Sequence, residues 1–192
     1  MPKLAIATMT WARTPAEAEM LTAAVDQLSS HGLPVVIADG GSTVEGFTDH
    51  LRALPGVSLV LPRLGPGRLV GQVQAALEGA EHLGADHILY TEPDKEQFFS
   101  RSLDDFLSTL DREPDAGVLL ASRDAESFAT FPAGQQLTES MFNRLAREAI
   151  GVEGDTLYGP LVLRSSLIPH ISHLHDDLGW GWRPYLMAVT HR

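Results

Sequence analysis

Through residues 3–91 the chain alternates short unbroken apolar runs with longer stretches whose apolar positions recur every three or four residues. The runs KLAIAT (3–8), PVVIAD (34–39), VSLVL (57–61) and HILYT (87–91) have the length and continuity of strands buried on both faces. Between the first two, Thr14, Pro15 and Glu17 form a capping box with proline at the first helical position. Leu21, Val25 and Leu28 then share one helical face, and Gly32 supplies the stop. A helix near 43–54 precedes the third run. Another follows the loop PRLGPGR (62–68), with Leu69, Val73, Ala76, Leu77 and Ala80 on one face and Gly84 at its end.

Beyond residue 100 the pattern loosens. A helix near 102–111 and a strand GVLLAS (117–122) continue the alternation. The stretch 123–136 has no clear period and reads as a long loop. Phe142, Leu145, Ala146, Ala149 and Ile150 mark an amphipathic helix stopped by Gly151. LYGPLVLR (157–164) reads as a strand bent at Gly159-Pro160.

Strands joined by helices imply right-handed crossovers, so the expected fold is a three-layer α/β/α, doubly wound domain with a mainly parallel sheet. Ligands of such sheets bind at the carboxyl ends of the strands. Four stretches converge there: TMTWAR, DGGS, GPGR and TEPDKE. Glu92 and Asp94 in the last of these could simply open a turn around Pro93. In extended backbone, however, side chains two apart leave on the same face, and paired carboxylates with open positions suit Mg²⁺ or Mn²⁺. The three neighbouring loops favour the metal.

Composition narrows the partners. The 192 residues, 44% of them hydrophobic, suit one domain over 1–192, with no linker that would divide it. A net charge of −11 without a basic run opposes nucleic-acid binding. The absence of cysteine removes disulfides and thiolate chemistry and fits a reducing, cytoplasmic setting. No apolar run approaches the roughly 18 residues of a membrane span, and the N-terminus reads as a strand rather than a secretory signal.

The succession LAIATMTWAR, VVIADGGST, a glycine-bearing loop with its helix, and ADHILYTEPDKE resembles the nucleotide-sugar-binding half of A-type glycosyltransferases, family 2 above all. The likeness covers about residues 3–99 and leaves 100–192 as the acceptor half. It implies a fold of the nucleotide-diphospho-sugar transferase type, a nucleotide-diphosphate sugar as donor and a hydroxyl-bearing acceptor. Asp39 would bond the base or ribose, with Thr8 and Gly40 nearby. Glu92 and Asp94 would hold Mg²⁺ or Mn²⁺ on the diphosphate, and His191 would be a further metal ligand. Two positions depart from the family's pattern: glutamate replaces the first aspartate of Asp-x-Asp, and a single aspartate stands in ADGGS. In an otherwise acidic chain Arg13, Arg63 and Arg68 are the candidate diphosphate partners, with Gly67 beside Arg68 at a helix start; Arg63 reads better as solvated.

The likeness also gives the tail HDDLGWGWRPY (175–185) a meaning. Asp176 or Asp177 would deprotonate the acceptor, and Trp180 and Trp182 would stack on it unless they are core residues. Other readings compete. GPGRLVG lies after the third strand instead of the first, which weakens a dinucleotide site and an oxidoreductase. His170, His173 and His175 match no zinc spacing. Ser42 lacks the second glycine of a nucleophile elbow and is rejected. A binding relative without catalysis stays open.

Overall fold

A computed structural model describes residues 3–62 and 68–190. Helix α1 (Pro15–Ser29) follows strand β1 (Leu4–Thr10) and begins with the expected box: the Glu17 amide donates to Thr14 Oγ1 at 3.2 Å, and the Thr14 amide donates to Glu17 Oε2 at 3.0 Å. Then come β2 (Val35–Asp39), α2 (Phe47–Ala53), β3 (Val57–Val60), α3 (Leu69–His82) and β4 (His87–Tyr90). After two short helices, α4 (Glu96–Arg101) and α5 (Leu103–Ser108), the chain forms β5 (Val118–Leu120), α6 (Ala125–Ala129) and α7 (Ala133–Ile150). It closes with β6 (Leu161–Arg164), α8 (Ile168–Ile171), a 3₁₀ segment Asp176–Gly181 and α9 (Trp182–Thr190).

The six strands form one sheet in the order β3-β2-β1-β4-β6-β5. Neighbours among β1, β2, β3 and β4 pair in parallel, whereas β6 is antiparallel to both β4 and β5. The mainly parallel, doubly wound sheet expected from the alternation is therefore present. Successive strand residues feed opposite cores, as a pleat requires. Ala5, Ala7, Ile88, Tyr90 and Leu161 pack on the side of α3, α8 and α9, with Trp182 and Leu186. Ile6, Ile37, Leu89 and Val162 pack on the side of α1, with Val25 and Leu28.

Three sequence expectations need correction. The stretch 123–136 is not a loop: Asp124 caps α6 by accepting the Ser127 amide at 2.7 Å, and Pro132 precedes α7. These are local cap signals inside a segment without apolar period. In α7 itself Ala146 is buried, but Phe142 and Leu145 are exposed. Finally, the strand at 157–164 starts only at Leu161. Gly159, at φ +132°, turns the backbone ahead of it, and Pro160 follows. Because β6 runs against β4, pairing Leu161 with Tyr90, it brings Tyr158 and Gly159 to the carboxyl end of β4. The end of β5 arrives there too, with the Ala121 amide donating to the Pro160 carbonyl at 3.1 Å.

Candidate functional site

The loop after β2 is built around Asp39. Its carboxylate accepts from Thr10 Oγ1 (2.9 Å), the Gly41 amide (3.0 Å), the Ser42 amide (2.8 Å) and Ser42 Oγ (2.6 Å). Ser42 Oγ in turn accepts the Ala12 amide at 2.7 Å, so the carboxylate and hydroxyl lock the first two loops together. Gly40 is where the loop touches α3: a Cβ there would stand 2.9 Å from the buried Gln72 side chain. Thr8 lies inside the sheet and is fully buried, its hydroxyl donating to the Thr91 carbonyl at 2.8 Å. That corrects its assignment to the donor site: β1 continues two residues further, to Thr10. Arg13 stacks on Trp11, 4.6 Å from the ring centroid, and pairs with Glu17 at 2.7 Å.

Two carboxylates stand at the end of β4. The chain turns at Pro93-Asp94, so the pair is not held in extended backbone, yet both line one cavity of about 730 Å³. Glu92 is pushed inward. Neither of its carboxylate oxygens accepts a hydrogen bond from another described residue, and Arg183 Nη2 is 3.7 Å from Oε1. Loss of hydration raises its pKa, partly offset by Arg183 and Lys95. Gly159 makes this position possible, since a Cβ there would come within 2.0 Å of Glu92 Oε2. Asp94 is exposed and takes the Lys95 ammonium at 2.7 Å.

Another part of the wall rests on a buried cation that no local pattern of residues marks. The Arg123 guanidinium, at the end of β5, is paired with Glu139 of α7 and with Asp155, whose Oδ2 lies 2.6 Å from Nε. It sits among the rings of Phe128, Phe131 and Tyr158, 4.8, 4.4 and 4.9 Å from their centroids. Arg183, fully buried on α9, is equally unmarked: it lies inside HDDLGWGWRPY, but charge alone does not tell a buried arginine from a solvated one.

The tail divides. Asp176 is not a free base: it accepts the Val70 amide at 3.2 Å and pairs with Arg68 at 3.2 Å, capping α3. Arg68 is thereby engaged too. Asp177 is 85% exposed, 3.2 Å from His175 Nδ1, and next in sequence to Leu178 of the cavity wall. Trp182 is a core residue and not an acceptor platform; it is fully buried and edge-on to Tyr90 at 4.9 Å. Trp180, 46% exposed, lines the main cavity and also a second of about 410 Å³ with Thr10, Trp11, Gln72 and Pro93. Gly67, Arg63 and His191, like the GPG loop, lie outside the described residues. Among the described residues no three His, Asp or Glu side chains group to hold a metal. No described helix is long and apolar enough to cross a membrane.

No family model and no curated protein matches the chain. Solved structures do. S. aureus TarS 1–349 superimposes with a TM-score of 0.63 at 16% identity, covering 98% of this chain and 56% of TarS. CMP:2-keto-3-deoxy-manno-octonic acid synthetase, solved with CTP, gives 0.58 at 13% identity, over 96% of this chain and 85% of that one. Glucosyl-3-phosphoglycerate synthase from Mycobacterium tuberculosis, solved with Mn²⁺, UDP and glucosyl-3-phosphoglycerate, gives 0.56 at 12% identity, over 86% and 58%. The chain has the nucleotide-diphospho-sugar transferase fold. It spans just over half the length of TarS, which has also been solved with UDP and with UDP-GlcNAc. In this transferase fold the alternation of the first 99 residues is the half that the sequence resemblance covers, and the antiparallel β6 is the part that the resemblance left undescribed.

Proposed function

We infer that the chain is a glycosyltransferase: it takes a nucleotide-diphosphate sugar and moves the sugar to an acceptor hydroxyl in the cavity at the end of β4. The observation that carries this reading is Glu92, at the head of that cavity beside Asp94, with both carboxylate oxygens buried and lacking a hydrogen-bond partner among the described residues. An orphaned carboxylate is costly, and a ligand that engages it recovers the cost. The fold and the nucleotide-bound neighbours support the donor class.

Glu92 and Asp94 fit Mg²⁺ or Mn²⁺ as two oxygen ligands on one wall, with the other positions left to phosphate and water. The ion would stabilise the charge that develops on the leaving diphosphate. Lys95 and Arg183 stand beside the same carboxylates and hold the local charge near neutral. Trp180 forms the wall between the two cavities, the smaller of which takes the nucleotide in this reading. Residues 1–99 thus serve the donor and 100–192 the acceptor. With Asp176 spent on the helix cap, Asp177 is the residue of the tail left to accept the acceptor proton, steered by His175.

Thermal unfolding with UDP, GDP and their sugars, each with Mn²⁺ or with chelator, tests this. Ligand at about 100 times its dissociation constant adds about 2.7 kcal/mol, a rise of roughly 5–10 °C for a domain of this size. The expected result is a rise that needs one nucleotide and Mn²⁺ together and disappears in Asp94→Asn. A rise without metal dependence identifies a binding relative, and no rise with any nucleotide overturns the reading.

A further inference from the structure

The chemistry of the cavity's outer half names the acceptor. Its polar side chains are already engaged with one another: Gln135 Nε2 donates to Glu139 Oε1 at 2.8 Å, and Glu139 is paired with Arg123. Thr138 Oγ1 donates to the Gly134 carbonyl at 2.9 Å, and Lys95 is held by Asp94 at 2.7 Å. At the inner end stand Glu92 and Arg183, 3.7 Å apart, and Arg183 Nε has no hydrogen-bond partner among the described residues. Apart from Tyr158, the remaining wall is largely apolar, formed by Phe131, Phe142, Leu157, Leu178, Trp180 and Pro184. Beyond the engaged groups and the inner pair, the wall's polar side-chain atoms are those of Tyr158 and Trp180, so a sugar ring placed there would turn most of its hydroxyls to apolar surface.

Resting on the transferase reading above, we propose that the acceptor is an amphiphile: a small hydroxyl-bearing head beside Arg183, next to the diphosphate that Glu92 and Asp94 would hold through the metal, followed by an alkyl chain along Phe142, Leu178 and Trp180. The wall has an apolar continuation outward on α7. Leu145 stands one helical turn from both Phe142 and Met141, and these three are 56%, 47% and 58% exposed. A chain longer than the cavity therefore has an apolar surface to follow, on a helix whose exposed apolar side chains a polar acceptor would leave in water.

The test is titration of the full chain with 1-butanol, 1-hexanol and 1-octanol, read by tryptophan emission, with UDP and Mn²⁺ response measured on the same samples. The expected result is affinity that rises with each methylene, octanol binding at least about tenfold tighter than butanol. Phe142→Ser and Leu178→Ser, both at exposed positions and so compatible with folding, are expected to cut octanol affinity at least about fivefold while the UDP response persists. A UDP response with octanol and butanol bound equally, or with octanol binding unchanged in both variants, overturns the proposal and leaves the transferase reading standing. Chain-length-dependent binding without any UDP response supports the apolar site and removes the transferase reading instead.

Discussion

Asp176 accepts the Val70 amide proton at 3.2 Å, so the first turn of α3 is capped by a residue 106 positions further along the chain. Arg68, just ahead of that helix, pairs with the same carboxylate. A carboxylate at a helix start satisfies an orphan N–H and complements the helix dipole. Asp176→Ala is expected to cost about 1 kcal/mol, as loss of a capping side chain does, and to lower the melting temperature by about 2–4 °C. Asp176→Asn keeps the acceptor oxygen and should cost less. Equal, negligible losses in both variants by differential scanning fluorimetry would mean that the cap contributes nothing.

This cap also shows what the sequence could and could not reveal. Thr14-Pro15-Glu17 was legible because its partners are three residues apart. Asp176 and Val70 are brought together only by the fold, and the tail acids then read as free. Tyr158 and Gly159 read as strand because nothing local shows that β6 runs antiparallel and opens at the site. The same limit hid Arg123: its partners Glu139 and Asp155 lie on other elements. The alternating strands and helices of residues 3–91, in contrast, carry their own periods, and these are the elements that the sequence placed well. Glu92 and Asp94 were found by type and spacing, but their shared cavity comes from a turn instead of an extended strand.

Arg123 holds two carboxylates that have little access to water. Removing one side of a buried ion pair costs about 3–5 kcal/mol, because the remaining charge is stranded. Arg123→Met should therefore lower stability by that order in urea unfolding. Neutralising the partners in the same chain, with Glu139→Gln and Asp155→Asn, should recover a good part of the loss. A triple variant no more stable than Arg123→Met would show that packing against Phe128, Phe131 and Tyr158, and not charge, sets the cost.

His87 opens β4, buried, with neither ring nitrogen bonded to a described residue. Loss of hydration, aided by Arg164 and opposed by Asp86, holds its pKa below the ordinary 6.5. The unfolded chain therefore takes up this proton first as pH falls. The stability this site contributes is fully present above about pH 6.5 and is lost as pH drops towards the lower native value. His87→Leu has no such proton to bind. Melting curves of the two proteins should run parallel above pH 7 and diverge below it, with the wild type falling faster. Parallel curves down to pH 5 would show that this ring does not titrate differently in the two states.

Gly159 carries a conformational and a steric demand at once, and two substitutions separate them. Its φ of +132° strains any side chain, at about 1–3 kcal/mol, and a Cβ would also stand 2.0 Å from Glu92 Oε2. Gly46, at φ +76°, has nothing within 4 Å of the same Cβ position. Gly46→Ala should thus cost stability alone and leave the nucleotide-and-Mn²⁺ response in thermal unfolding intact. Gly159→Ala must in addition displace the Glu92 carboxylate or the loop against it, and should abolish that response at concentrations that saturate the wild type. An unchanged response in Gly159→Ala would mean that Glu92 does not need its buried position for donor binding. The assignment of the donor diphosphate to this end of β4 would then rest on Asp94 alone.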